Sequence, residues 1–395
     1  MPNELRKRWS LDPELDFLNH GSFGATPTAV LDEQRRLILQ LEADPIRFLA
    51  PERELLPKLD HVRQVIARLV GAAARDIVFV RNTTEGVSAV VRSFPFRRGD
   101  EVLITNHGYN ACNNAVRYAA QRSGADVVVA EVPFPIQSAD QVIEAIEDRL
   151  TDRTRLLMVD HVTSPTGLIF PVTEIVAAAR QRGVRVLIDG SHAPGMLAVD
   201  LNEIQPDYYV ANHHKWLCGP KTSAFLFARG ELQPEVRATA ISHGPNRPDY
   251  GETKFQADFS WPGTFDPTPL LVMPFTLDFL GKLHDGGIDT LMAANRQLAL
   301  AGRRRLLNRL EIDDPAPEQM IGSLATIPIS QSTAIGADQV AALQRQFAEK
   351  DRIEVPLFGF DQHSVCVRIS AQAYNHLDQF ERLGDLLQRT FRCGS

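Results

Sequence analysis

Two residues in this sequence, each ending an apolar run, could share one piece of chemistry. Lys215 stands in Asn212-His213-His214-Lys215-Trp216-Leu217-Cys218-Gly219-Pro220, after the apolar-rich run 207–211, a pattern that suggests a strand opening into a loop. A partly desolvated lysine amine loses its proton readily and can form a Schiff base with an aldehyde. Taken alone, Lys215 is explained equally well as a solvated loop lysine beside a surface histidine pair. Asp189 follows residues 184–188, which read as a buried parallel strand, and α/β sheets place ligand groups at the carboxyl ends of such strands. A carboxylate there can hold a pyridinium N–H, and pyridoxal phosphate (PLP) uses such an aspartate together with a lysine Schiff base. Asp189 alone could be a turn or N-cap residue. The two together are hard to explain as turn chemistry.

The elements needed to position them alternate along the chain. Strands are expected over 77–80, 101–105, 126–132, 155–160, 184–188 and 222–228, and amphipathic helices over 28–42, 52–70, 138–150 and 172–182. This alternation implies an α/β fold with a mostly parallel sheet and helices on both faces. A long helical region over 269–310, broken at 284–287, leads to a smaller unit. That unit has strands expected at 324–329 and 364–369 and helices at 337–349 and 377–391. Residues 242–260 are polar and irregular and read as a mobile loop over the site.

Other residues gain meaning from this frame. Thr83 and Thr84 follow a strand and open a helix, where backbone N–H groups and hydroxyls make a phosphate seat. An ordinary threonine N-cap is the plainer explanation, but with Asp189 and Lys215 in place both threonines are assigned to the cofactor phosphate. At the mouth of strand 101–105, an aromatic ring could stack on the cofactor and an imidazole could hydrogen-bond it; Tyr109 and His107 are the candidates. His192 and His214 lie close in sequence to the aspartate and the lysine. His192 reads as a partner of the phenolic oxygen and His214 as a phosphate ligand, with a structural role for either imidazole as the alternative. Arg368, alternating with apolar neighbours on a short strand, could fork onto a substrate α-carboxylate, or form an edge-strand salt bridge. Lys215, once released, is the general base for the Cα proton.

Seven segments then carry a resemblance: Leu-Asn-His-Gly-Ser-Phe-Gly at 18–24, Arg-Asn-Thr-Thr-Glu-Gly at 81–86, His-Val-Thr-Ser-Pro-Thr-Gly at 161–167, Asp-Gly-Ser-His at 189–192, residues 213–220, Trp-Pro-Gly-Thr at 261–264 and Val-Arg-Ile-Ser at 367–370. In this order they make the chain similar to fold-type I enzymes of the class V aminotransferase superfamily, nearest the branch named for isopenicillin N epimerase. The resemblance implies a large PLP-binding domain over 20–280 with a mostly parallel seven-stranded sheet. It implies a smaller α+β domain formed by 281–395 with the segment 1–19. It also implies a homodimer in which Thr264 reaches the partner subunit's phosphate. Asn19 and Ser22 are expected near an amino-acid substrate, with Arg368 as the carboxylate arginine. Asn212 is expected at the cofactor, His107 rather than Tyr109 at its ring, and Arg47 is either a substrate ligand or a surface charge. Ser164 falls where the family commonly has an amide facing the phenolic oxygen. The implied chemistry is Cα deprotonation, leading first to C–S β-elimination on a cysteine-derived amino acid. Epimerisation and transamination are the alternatives, and a non-enzymatic scaffold would not require Lys215 and Asp189. Persulfide-forming desulfuration is disfavoured: it needs a mobile-loop cysteine before the arginine, whereas Cys366 shares the strand of Arg368 and reads as a buried structural thiol.

Composition bounds these readings. A chain of 395 residues can bury roughly 75% of its unfolded surface. The net charge of −7, with basic residues spread throughout, gives no electrostatic footprint for nucleic acid. The four cysteines have no paired spacing, so neither a disulfide framework nor a metal site is expected. Residues 1–10 are charged and lack the apolar core of a secretory signal, and no apolar run approaches the ~20 residues of a membrane helix. A cytoplasmic protein is expected.

Overall fold

The computed structural model describes residues 4–330, 336–360 and 365–392. Its main feature is a sheet of strands β1 (Ile77–Val80), β2 (Glu101–Thr105), β3 (Asp126–Ala130), β4 (Thr154–Asp160), β5 (Arg185–Asp189), β6 (Tyr208–Asn212) and β7 (Ala224–Ala228). Their spatial order is β1-β7-β6-β5-β4-β2-β3, and only β7 runs against its two neighbours. Successive side chains on a strand point to opposite faces. Accordingly Val186 and Ile188 enter one core cluster and Leu187 the other, and the same split divides Val78 and Val80 from Ile77 and Phe79. Strands covered on both faces carry near-continuous apolar runs. The edge strand β3 is half exposed, while β1, β2, β6 and β7 are buried along their whole length.

Several helices differ from expectation for identifiable reasons. The helix expected over 52–70 begins as a π-turn, Pro51–Leu55, and becomes α-helical only over Leu56–Leu69. Pro57 lies in its first turn, where a missing N–H is tolerated. The region 269–310 resolves into Thr268–Leu271, Met273–Gly281 and Gly287–Leu310, separated at Gly286 and Gly287, whose φ values of +97° and +80° suit glycine. Helix Asn110–Ser123 had no expectation; its asparagine-rich start hides an inward stripe of Cys112, Val116, Ala119 and Ala120. The mobile loop expected over 242–260 is corrected. Its second half is the helix Lys254–Ser260, capped by Thr253 Oγ1 accepting from Gln256 N–H, with Phe255, Ala257 and Phe259 buried. The apolar stripe, not the polar flank, decides where this segment goes.

The smaller unit holds β8 (Leu324–Ser330), β9 (Leu357–Gly359) and β10 (Val365–Ser370), antiparallel in the order β9-β10-β8. Helices Gly287–Leu310 and Leu377–Arg392 pack closely, since a Cβ on Gly302 would lie 2.6 Å from the Phe380 ring. The amino-terminal piece Asp16–Phe17 pairs in parallel with Ile353–Glu354, and the chain then runs back over the large sheet at Gly21 to Gly24. Within the described residues, no helix is long and apolar enough to cross a membrane.

Candidate active site

The parallel strands β1, β2, β4, β5 and β6 end on the same edge of the sheet, and the residues just beyond their carboxyl ends enclose a cavity of about 410 Å³. Asn82 to Thr84 come from β1, Tyr109 from β2, Ser164 from β4, Ser191 and His192 from β5, and His214 and Lys215 from β6. The loop at 21–23 closes one side and Arg368 of β10 another.

Asp189 ends β5 and is buried. Its Oδ1 accepts the Ser191 backbone N–H at 2.9 Å and its Oδ2 accepts the Cys112 thiol at 3.3 Å. Lys215 is half-buried by its accessible surface, with Nζ 2.8 Å from His192 Nε2. Desolvation pushes the amine down to about 8, against the opposing pull of Asp189. Behind the lysine, His20 Nε2 donates to the Lys215 carbonyl at 2.9 Å, and its Nδ1 accepts from Tyr374 Oη at 2.7 Å. Gly24 passes so close that a Cβ there would lie 2.2 Å from the His214 carbonyl oxygen. Asn212 Oδ1 accepts the Thr83 backbone N–H at 3.0 Å, and Asn212 Nδ2 donates to Ser191 Oγ at 3.2 Å. This ties the helix Thr83–Ser93 to the strands on either side of it. Gly86 lets that helix lie flat on β6, where a Cβ would meet Val210 at 2.4 Å. Arg368 is buried, with Nη2 donating to Ser22 Oγ at 2.7 Å and Nη1 to Ser164 Oγ at 3.2 Å.

Lys215, Asp189, His192, Thr83, Thr84, Asn212, His214, Ser164, Ser22, Tyr109 and Arg368 thus gather at one cavity. Four expected residues do not line it. His107 is fully buried behind the wall, with Nδ1 against Thr166 Oγ1 at 2.6 Å and Nε2 donating to the Val132 carbonyl at 3.0 Å. Packing against Phe170 and Phe360 holds it there, so of the two candidates Tyr109 is the one at the cavity. Asn19 turns the other way and donates to Glu354 Oε1 at 2.9 Å, a consequence of the pairing of Asp16–Phe17 with Ile353–Glu354. Arg47 is exposed and ion-paired with Glu54. Thr264 lines a separate cavity of about 350 Å³ with Arg81 and Thr222. The edge-strand salt bridge considered for Arg368 is replaced by the two serine contacts. Cys366 is buried, in line with a structural thiol.

Asp160, Phe23, Asn82 and Ser191 also line the cavity and had not been singled out. Asp160 carried the same signal as Asp189, an acid ending a buried strand, but it was read only as part of its strand. Phe23 is 71% exposed at the mouth; it lies in the segment 18–24 that carries the resemblance, but the resemblance assigns roles there only to Asn19 and Ser22.

The lining suits a small ring bearing a phosphate. Thr83 Oγ1, His214 Nδ1 and Asp160 Oδ1 are buried polar atoms with no hydrogen-bond partner in the protein, and buried polar groups ordinarily have one. Thr83, Thr84 and His214 could therefore hold a phosphate at a helix N-terminus, Asp189 a protonated ring nitrogen, and Lys215 an aldehyde. These residues fit pyridoxal phosphate.

A model of the Aminotransferase class-V family matches residues 20–383. The chain is 31% identical to a probable chloroplastic L-cysteine desulfhydrase of Arabidopsis thaliana, over 97% of its own length and 85% of that protein. It is 31% identical to the isopenicillin N epimerase of Amycolatopsis lactamdurans, over 97% of each. Among solved structures it is similar to a mutant of C-DES with glycine covalently linked to the PLP cofactor, at a TM-score of 0.79 and 20% identity, covering 97% of this chain and 98% of the other.

Proposed function

The chain belongs to the class V aminotransferase family, and on that premise we propose that it is a PLP-dependent lyase that cleaves the Cβ–S bond of a cysteine-derived amino acid. The observation that carries the reading is the shared cavity of a lysine amine, a buried aspartate and a buried arginine. Similarity over nearly its full length to a protein named as an L-cysteine desulfhydrase supports the choice of sulfur chemistry.

Bound at Lys215 and Asp189, PLP supplies an aldehyde for the amino group and an electron sink for charge developing at Cα. The remaining work falls to this chain. Arg368 receives the substrate carboxylate with its guanidinium fork and, through Ser22 and Ser164, keeps one orientation. Asp189, steadied by Ser191 N–H and the Cys112 thiol, would hold the ring nitrogen. Thr83, Thr84 and His214 would hold the phosphate, with Asn212 fixing the helix end that carries the threonines. His192 would offer an N–H to the phenolic oxygen, and Tyr109 lines the same cavity. Lys215 Nζ, brought down to about 8 by burial, is in the range for taking the Cα proton near neutral pH. The pair left at Cα becomes a Cα=Cβ bond as the Cβ–S pair departs with sulfur, and water then releases pyruvate and ammonia.

Elimination needs one base. Epimerisation, the second reading, needs a further proton carrier, and Tyr109 is the lining residue suited to it; similarity to an isopenicillin N epimerase supports this reading. We further take the enzyme to be a cytoplasmic homodimer in which Thr264 reaches the partner subunit's phosphate, with a large domain over 20–280 and a small one from 1–19 and 281–395.

The experiment incubates PLP-loaded protein with cysteine conjugates in heavy water and follows pyruvate, ammonia and α-proton exchange. Pyruvate with ammonia is expected. Exchange with loss of optical activity and no pyruvate would replace the lyase with an epimerase.

A further inference from the structure

Trp216 follows the lysine directly, yet its side chain is buried and turned toward His192. Its indole Nε1–H donates to His192 Nδ1 at 3.3 Å, while Nε2 of the same ring lies 2.8 Å from Lys215 Nζ. An indole N–H can donate but never accept. The Nδ1 atom must therefore offer a lone pair, and a neutral imidazole with a bare Nδ1 carries its proton on Nε2. We propose that Trp216 is a positioning residue that locks His192 as the Nε2–H tautomer, so that the imidazole donates to Lys215 and holds its amine uncharged.

Each alternative arrangement sets donor against donor. An imidazolium would turn Nδ1–H onto the indole N–H, and burial and the nearby Lys215 and Arg368 also oppose it. The other neutral tautomer makes the same clash. An ammonium at Lys215 would face the Nε2–H with no acceptor between them, whereas an amine offers its lone pair along that line. Desolvation drives the lysine toward the same state. The charged or titratable groups facing the pair are Asp189, Asp160 and Cys112 on one side and Arg368, His214 and His20 on the other. Trp216→Phe leaves all six in place, deletes the N–H and trims the buried ring that packs against His20.

The inference rests on the proposed function only in treating Lys215 as the reacting amine, and its test uses the apo-protein. Long-range proton–nitrogen NMR on histidine-labelled protein, with the His192 signal identified by its loss in His192→Gln, reads the tautomer directly. A protonated Nε2 and bare Nδ1 are expected. The reaction of Lys215 with trinitrobenzenesulfonate, followed on its own peptide, gives the amine's midpoint. Trp216→Phe frees the ring to present a bare Nε2, and the midpoint is expected to rise by about one pH unit, the worth of one hydrogen bond moved from the amine to the ammonium. A tryptophan that merely fills space would lower stability and leave the midpoint where it was, which would overturn the proposal. So would a proton on Nδ1 in the wild-type protein, a result that needs no variant to fold. Absence of C–S cleavage with both apo results intact would strike the reaction reading alone.

Discussion

Asp160 and Asp189 are direct register partners at the ends of the adjacent parallel strands β4 and β5. Both are buried at one cavity. Desolvation first, and then the neighbouring Asp189, push the Asp160 carboxyl well above the usual carboxylate range. The two acids thus divide the work: Asp160 is the one pushed toward its protonated form, while Asp189 keeps the donors of Ser191 and Cys112. Asp160→Asn puts a neutral amide where burial and Asp189 already disfavour the carboxylate, and is expected to cost no more than about tenfold in kcat, the scale of one neutral hydrogen bond. Asp189→Asn removes the carboxylate proposed to hold the cofactor's ring nitrogen and is expected to cost about 100-fold or more. Steady-state elimination assays on both variants, with PLP content measured, check this; equal losses would refute the division.

Arg368 offers a planar fork that lysine cannot reproduce. Arg368→Lys keeps the charge but loses one arm and the serine contacts. The kcat/KM for amino-acid substrates is expected to fall roughly 10- to 100-fold, matching one charge-assisted hydrogen bond. Binding of PLP, read by its visible absorbance, should be unchanged. A variant that instead lost the cofactor would place the arginine on the wrong partner.

Gly24 and Gly281 make a matched pair. A Cβ at Gly24 would meet the carbonyl oxygens of His214 and Lys215 at 2.2 and 2.8 Å, and one at Gly281 would meet nothing within 4 Å. Gly24→Ala is expected to destabilise by about 1–3 kcal/mol and to weaken PLP retention, because the lysine loop itself must move. Gly281→Ala should be neutral or slightly stabilising. Thermal melts with and without cofactor distinguish the two.

Burial lowers His20, His107 and His161 to about 4 and His213 to about 3. The unfolded chain binds these protons near pH 6.5, and the folded chain refuses them until much lower. Their contribution is therefore fully present above pH 6.5 and is lost as pH falls toward about 4. The unfolding free energy from urea titrations should drop between pH 7 and pH 5, by an amount of order 1 kcal/mol or more per histidine. His161→Gln keeps a partner for Tyr209 Oη, which lies 2.9 Å from His161 Nδ1, and removes one titration. It should flatten the slope, which separates imidazoles from carboxylates.

Much of the fold was legible because strand ends and apolar runs are local signals. Ile77–Val80 and Glu101–Thr105 fall at their expected limits, and Asp189 and Lys215 were marked by what precedes them. Residues set by distant packing were not legible. Whether His107 or Tyr109 faces the cavity depends on Phe170 and Phe360, far along the chain. The turn of Asn19 toward Glu354 depends on a parallel pairing with Ile353–Glu354 that two-residue strands do not announce. The segment 242–260 misled because its polar first half outweighed the buried Phe255 and Phe259. Trp216 was visible as a motif residue, but its hydrogen bond to His192 belongs to three dimensions.

The bond from His20 to the Lys215 carbonyl, backed by Tyr374, has a consequence for biogenesis. A ribosome that has made the first 300 residues has already issued the whole large sheet, yet the brace behind the lysine awaits a side chain near the other terminus. Contacts of such sequence separation are slow to form. Vitamin capture is therefore expected only after residue 374 has been made, and a product cut before it, sheet intact, is expected to take up less colour.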